Sequence, residues 1–212
     1  RRASDNTTQS IGFVNNELDT ATLESFCSGT DGFVTTWYDQ SGNGNDAAQA
    51  TASSQPKIVS AGTSLGYIQN QTSTSGQILE STFSYTGGSA FSAFMVVQNF
   101  SSAVFGGTNN AGIFYAVAQS GSSSSAAAGF ASVSYYNNGS SIGTTRDDIK
   151  NATSSFAELT TLATLDSGSQ LAYFGYSVNS FNYVRMKEYI IYDNQSVSRT
   201  GVENNIITHY GF

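Results

Sequence analysis

Short runs of alternating apolar and polar residues, separated by reversals rich in glycine and asparagine, recur along this chain. At 33–38, Phe33, Thr35 and Trp37 fall on one side of an extended segment and Val34, Thr36 and Tyr38 on the other, the period of two that marks a strand. Further strands are predicted at 56–59, 66–69, 77–83, 91–100, 112–119, 130–136, 156–166, 170–176 and 183–192. Pro56 suits a strand start or an edge. Gly87-Gly88, Gly106-Gly107, Asn109-Asn110, Asn137-Asn138-Gly139 and Asp166-Ser167-Gly168 supply the turns expected between antiparallel neighbours.

Helical spacing is confined to two places. Leu23, Phe26 and Cys27 share a face at 19–28, where Asp19 can cap the start and Gly29 is placed for a left-handed stop. Near the end, Val202, Ile206 and His209 or Tyr210 recur at helical spacing behind Ser196 or Ser198 as cap. Many strands with little helix between them predict an all-β antiparallel sandwich or barrel, not alternating β-α units. The segment 121–129, Ser- and Ala-rich between Gly121 and Gly129, is expected to be a mobile loop. Aromatic strand character continues on both sides of it, so one domain over 1–212 is expected, within the size of a large all-β unit.

Composition narrows the function classes. Charged residues are 11% of the chain, against roughly 25% in ordinary soluble domains, and Ser, Thr, Asn, Gln and Gly carry most of the polarity. With eight basic residues and a net charge of −7, the chain is not expected to bind nucleic acid or an anionic membrane, both of which need clustered Lys and Arg. No apolar run approaches the ~18 residues of a spanning helix, so no membrane insertion is expected. The opening Arg1-Arg2-Ala3-Ser4-Asp5 reads as the end of a strand, and an upstream portion is expected before it. Cys27 is the one cysteine, so it has no partner for a disulfide within these residues.

The stretch Thr35-Thr36-Trp37-Tyr38-Asp39-Gln40-Ser41-Gly42-Asn43-Gly44-Asn45-Asp46, continuing to Ile58, resembles the opening of concanavalin A-like, laminin G-like jelly-roll domains of marine bacterial secreted proteins and phage structural proteins. Met186-Lys187-Glu188-Tyr189-Ile190-Ile191-Tyr192-Asp193 and Glu203-Asn204-Asn205-Ile206-Ile207-Thr208-His209-Tyr210 resemble the closing segments of the same domains. The resemblance implies an antiparallel two-sheet jelly-roll sandwich with a short N-terminal and a short C-terminal helix. Arg2-Ala3-Ser4-Asp5 and Phe26-Cys27-Ser28-Gly29-Thr30 also look like the early sequence of the alpha-L-arabinofuranosidase B catalytic family. That family closes a disulfide loop soon after its first Cys, whereas Asp31-Gly32 stands there in this chain. No segment matches its nucleophile or its acid residue, so no catalytic residue carries over.

Candidate chemistry follows from these two readings. Sugars stack on aromatic faces and bond to in-plane amides. Tyr135, Tyr136, Asn137 and Asn138, and separately Phe181, Asn182 and Tyr183, form aromatic-amide groups suited to carbohydrate. Asp39, Asn43, Asn45 and Asp46 could offer oxygens to calcium, which many laminin G-like domains bind, although a turn-stabilising role fits the same residues. Arg146-Asp147-Asp148 reads as a solvated cluster in a loop, Glu188 as a structural acid, and His209, the one histidine, as a packing or surface residue. The expectation is a non-enzymatic extracellular or virion-surface module for adhesion, glycan recognition or virion decoration, such as a phage capsid-decoration or tail-fibre domain. Its partners would be glycans or other surface subunits, with repeated copies in an assembly. The alternative is an arabinofuranosidase-like glycoside hydrolase.

Overall fold

The computed structural model describes every residue except 71–76, 78, 86–87, 100–102, 106–115, 128–129, 166–169, 175–183 and 194–197. In chain order its elements are β1 (Phe13–Val14), β2 (Glu17–Leu18), α1 (Thr20–Phe26), β3 (Gly32–Phe33), β4 (Thr36–Trp37), β5 (Ala47–Ala48), β6 (Lys57–Ser60), β7 (Thr63–Gln69), β8 (Leu79–Tyr85) and β9 (Ala90–Asn99). There follow β10 (Ala103–Phe105), β11 (Ala116–Ala118), β12 (Phe130–Asn137), β13 (Ser140–Ile142), α2 (Arg146–Ala152), β14 (Ala157–Leu165), β15 (Gln170–Phe174), β16 (Val184–Tyr192) and α3 (Arg199–Tyr210).

The protein is mostly β, and its strands pair antiparallel. The larger sheet has the order β13-β12-β14-β9-β16-β7-β6-β3 and the smaller β15-β8-β5-β4, with two-stranded pairs β1-β2 and β10-β11 beside them. The two larger sheets share one core. Leu79 of the smaller sheet is buried in the same cluster as Met95, Val97, Tyr135, Leu159, Val184 and Met186 of the larger, with Trp37 and Ala47 packed against it. Fully burying each such side chain is worth about 1.5–3 kcal/mol, which places the dominant stabilising term between the layers.

β9 is covered on both faces, and Phe91 to Val97 are all fully buried. Met95 and Val97 point into the inter-sheet core, whereas Phe94 and Val96 point outward and pack under Ile206 of α3. β16 beside it carries a bulge between Met186 and Glu188. An added residue exchanges the faces of everything beyond it. Met186 therefore joins the core, the next inward residue is Tyr189, and Glu188 lies opposite Val96, on the face that α3 covers.

Several sequence expectations are corrected by this structure. The single strand expected at 33–38 is two, β3 in the larger sheet and β4 in the smaller, so the chain changes layer at Val34-Thr35. Arg146-Asp147-Asp148 is not a loop cluster but the first turn of α2. Thr145 caps that helix: its hydroxyl accepts the Asp148 amide at 3.2 Å while the Asp148 carboxylate accepts the Thr145 amide at 2.9 Å, the reciprocal capping box. Ile149 carries the helix into the inter-sheet core.

The described part of 121–129 is tied down instead of hanging free. The amides of Arg146 and Asp147 donate to the carbonyls of Ser124 and Ser122 at 2.9 and 3.1 Å, and Gly121 donates to the Asp147 carboxylate at 2.6 Å. α1 forms as expected. The Asp19 carboxylate accepts the Thr22 amide at 3.0 Å and Gly29 adopts φ 71°.

Candidate functional site

β16 pairs with β7 over Arg185↔Gln69 and Met186↔Ile68, and residues of both strands line an open groove together with β4, α1 and the β1-β2 hairpin. It is wide, with a volume of about 1520 Å³, and β4, the turn after it, β7, β16 and α3 all contribute to its walls. Its aromatic lining includes Trp37, Tyr38, Tyr67, Tyr189 and Tyr192. Tyr38 is 50% exposed and Tyr192 37%, so both rings offer a face to a ligand. The Tyr38 hydroxyl lies 3.4 Å from Ser10 Oγ, and the Tyr192 ring is braced edge-on against Phe94 with centroids 6.1 Å apart.

The turn after β4 is built around one carboxylate. Asp39 accepts the Ser41 amide at 2.8 Å, the Ser41 hydroxyl at 2.8 Å and the Asn45 amide at 3.0 Å. The Ser41 hydroxyl and those amides hold the Asp39 carboxyl below the usual range, since hydrogen bonds to the charged form favour it. Asp46 in turn accepts the Asp39 amide at 2.8 Å, and Gly42 and Gly44 take φ values of 83° and 75° that only glycine adopts readily.

Asp39, Asn43, Asn45 and Asp46, the residues suggested for calcium, all lie in this one turn. Both oxygens of Asp39 are engaged by donors of its own turn. Among the described residues no group of three or more His, Cys, Asp and Glu is gathered to hold a metal ion.

The carbohydrate residues expected on β12 are also placed differently. Tyr135 is fully buried in the inter-sheet core, where burial pushes its phenol up, and its ring has no free face. Tyr136 points outward, but the Arg199 guanidinium lies 3.8 Å above its ring. The Asn137 amide donates to the carbonyls of Ala152 and Glu158 at 3.2 and 3.1 Å, and the Asn138 side chain accepts the Glu158 amide at 2.9 Å. These four residues close a hairpin and brace β14. Phe181, Asn182 and Tyr183 lie outside the described residues.

Acids line the groove as well. Glu17, Asp39, Glu188 and Asp193 border it. Glu188 bonds the Tyr210 hydroxyl and, after burial, is what pushes that phenol up. His209 is not isolated: its Nε2 lies 3.2 Å from Glu17 Oε1, joining α3 to the β1-β2 hairpin. Among the described acids with a clear shift, Glu158 is the one raised, to about 7. It sits beneath α3, fully buried, and not in the groove. A lone acid inside the apolar run Phe156-Ala157-Glu158-Leu159 was the sequence signal for it, and it passed unused.

Residues 1–96, less than half of the chain, match the family model for the catalytic domain of alpha-L-arabinofuranosidase B. That span includes β4, the Asp39 turn and β7. Comparison with curated proteins and with solved structures gave no match.

Proposed function

We propose that this protein is a non-enzymatic, surface-displayed module that recognises a neutral glycan in the groove between β4, β7 and β16, on a sandwich of concanavalin A-like jelly-roll type. The observation that carries the reading is that Trp37, Tyr38 and Tyr192 all border one open groove of about 1520 Å³, Trp37 from the inter-sheet side and Tyr192 from the α3 side of β16. Small-molecule pockets run to roughly 300–1,000 Å³, so this volume suits a chain of several sugars better than a single ring. Exposed rings offer stacking faces, and the amide-rich turn at Asn43 and Asn45 offers in-plane bonding. The low charged fraction of 11% fits a neutral ligand, and also neutral contacts with other subunits on a cell or virion surface. The jelly-roll topology draws support from antiparallel pairing throughout the larger sheet, with sequence-distant strands side by side, as where β9 lies between β14 and β16.

The alternative, a glycoside hydrolase of arabinofuranosidase type, draws on the family match over residues 1–96 and on the acids along the groove. Such chemistry uses a carboxyl raised toward neutrality as general acid beside a second one. The raised carboxyl here, Glu158, is sealed beneath α3, which favours binding over cleavage.

Trp37 is the one tryptophan, so its emission reports directly on the groove. Titration with a panel of neutral oligosaccharides, including arabinose-containing chains, is expected to shift that emission for at least one member, with Tyr38→Ala or Tyr192→Ala weakening binding about tenfold or more. Absence of any shift across the panel refutes glycan recognition. Release of reducing sugar, lost in Asp39→Asn or Glu188→Gln, transfers support to the hydrolase.

A further inference from the structure

α3 is a surface helix with an unusual anchor. Of its twelve residues Arg199–Tyr210, two are buried, Ile206 and Glu203. Ile206 rests on Phe94 and Val96, with Val202, Tyr210 and Phe212 packed around it. Glu203 is 1% exposed. The Arg199 guanidinium clasps it from within the helix, Nη1 lying 2.7 and 2.5 Å from its two oxygens, and the Tyr136 ring backs that guanidinium. A second carboxyl, Glu158 of β14, faces this pair from the sheet and is fully buried.

Glu158 bonds the Thr160 hydroxyl through Oε1, while Oε2 is buried with no hydrogen-bond partner. An ionised carboxylate with an empty, buried oxygen is costly, whereas a protonated one is tolerated. Glu158 and Glu203 are thus two buried acids at one contact, with the partly exposed Arg199 guanidinium bonded to Glu203. The cluster sits where helix meets sheet, so undocking α3 is what would hydrate it.

We propose that Glu158 is a proton-dependent latch for α3: the helix stays docked while this buried carboxyl is protonated, and docking weakens once it is ionised beside the Glu203-Arg199 pair. The inference stands apart from the glycan reading, although α3 contributes Asn205, Ile206, His209 and Tyr210 to the groove wall, so a released helix would also reshape the groove. The ionisable groups facing the latch and its helix are Arg199 and Glu203 of α3, Tyr136 of β12, Lys187 and Glu188 of β16 near Tyr210, and Glu17 of β2 beside His209. Desolvation dominates the shift at Glu158 and Glu203 reinforces it, while the Thr160 hydroxyl, the Gly139 amide and, least, Arg199 oppose it.

The sign follows from a raised carboxyl. Docked Glu158 holds a proton up to about pH 7, whereas undocked and hydrated it returns to an ordinary 4.5. Between these limits the docked state binds more protons, so docking is strongest below pH 4.5 and declines as pH rises to about 7. Each unit of difference changes the opening equilibrium tenfold, so the full window spans on the order of a hundredfold.

Hydrogen exchange of the α3 amides, corrected for intrinsic rates, tests the latch on the intact chain between pH 5 and 8. Protection of α3 is expected to fall on the order of a hundredfold relative to β9 amides. It should stay flat in Glu158→Gln, which keeps the shape and cannot ionise. His209→Gln should retain the wild-type decline, separating the latch from the Glu17 contact. If Glu158→Gln fails to fold, Glu203→Gln frees Arg199 for Glu158 and is expected to move the decline to lower pH. Flat α3 protection in the wild type, an unaltered decline in Glu158→Gln, or an unmoved decline in Glu203→Gln each overturns the proposal.

Discussion

Glu158 shows how much one residue's surroundings decide. Free in water it would be an ordinary acid, but on β14 beneath α3 its carboxyl is raised from 4.5 to about 7, and each pKa unit is worth about 1.4 kcal/mol. The two-and-a-half units correspond to roughly 3 kcal/mol of destabilisation above neutrality. Glu158→Gln is therefore expected to be more stable than wild type at pH 8 by about 3 kcal/mol and near equal at pH 4.5, as read from urea midpoints at the two pH values.

Packing sets a comparable cost at Gly32. A Cβ there would stand 2.7 Å from Cys27 Sγ and 2.9 Å from Val59 Cβ, both in the buried cluster that seats α1. Gly32→Ala is expected to lose about 1–3 kcal/mol, measured by denaturant unfolding. Gly12→Ala, with nothing within 4 Å, serves as the neutral comparison.

At the scale of elements, caps distinguish the helices. Thr145 and Asp148 bond reciprocally at the start of α2, whereas Ser198 precedes α3 without a side-chain cap bond. Thr145→Ala should cost about 1 kcal/mol. Ser198→Ala should stay within about 0.5 kcal/mol. Equal losses in thermal melts of the two variants would contradict the capping geometry.

Most elements were legible because their signals are local: Asp19 before the Leu23-Phe26-Cys27 face, and apolar runs at β9, β12, β14 and β16 between glycine and asparagine turns. α2 was missed because its cap uses Asp at the third position of a short, charged segment instead of the more familiar Glu or Gln. The carbohydrate groups on β12 were misplaced because strand alternation names two faces without saying which is covered. The covering layers put Tyr135 in the core and Tyr136 under Arg199. The β16 bulge that sets Glu188 on the α3 side left no mark in the local pattern.

For the molecule as a whole, opposing titrations fix the pH of greatest stability. Asp31, held down by Lys57 Nζ at 2.6 Å, and Asp39, held down by its turn, stabilise the fold above the ordinary 3.8 and lose that contribution as pH falls further. Glu158 acts in the other direction, its contribution complete below 4.5 and declining toward about 7. Thermal unfolding of dilute protein across pH 3–9 should therefore peak in the mildly acidic range, below the pH 5–8 common among proteins. In Glu158→Gln the alkaline side of that peak should flatten.

The sequence by itself determined the secondary-structure class, the antiparallel pairing implied by its turns, the capped first helix and the low charged fraction of the chain. These are properties of residues close together along the chain, set by backbone preference and side-chain period. Only the tertiary structure decided which aromatic rings remain open to a ligand, which carboxyls meet, and which carboxyl is driven toward neutrality. Each of these depends on exclusion of water and on contact between residues far apart in sequence: Trp37 and Tyr192 come to one groove, and Glu158 and Glu203 to one dry interface, only because the sheets and α3 close over them.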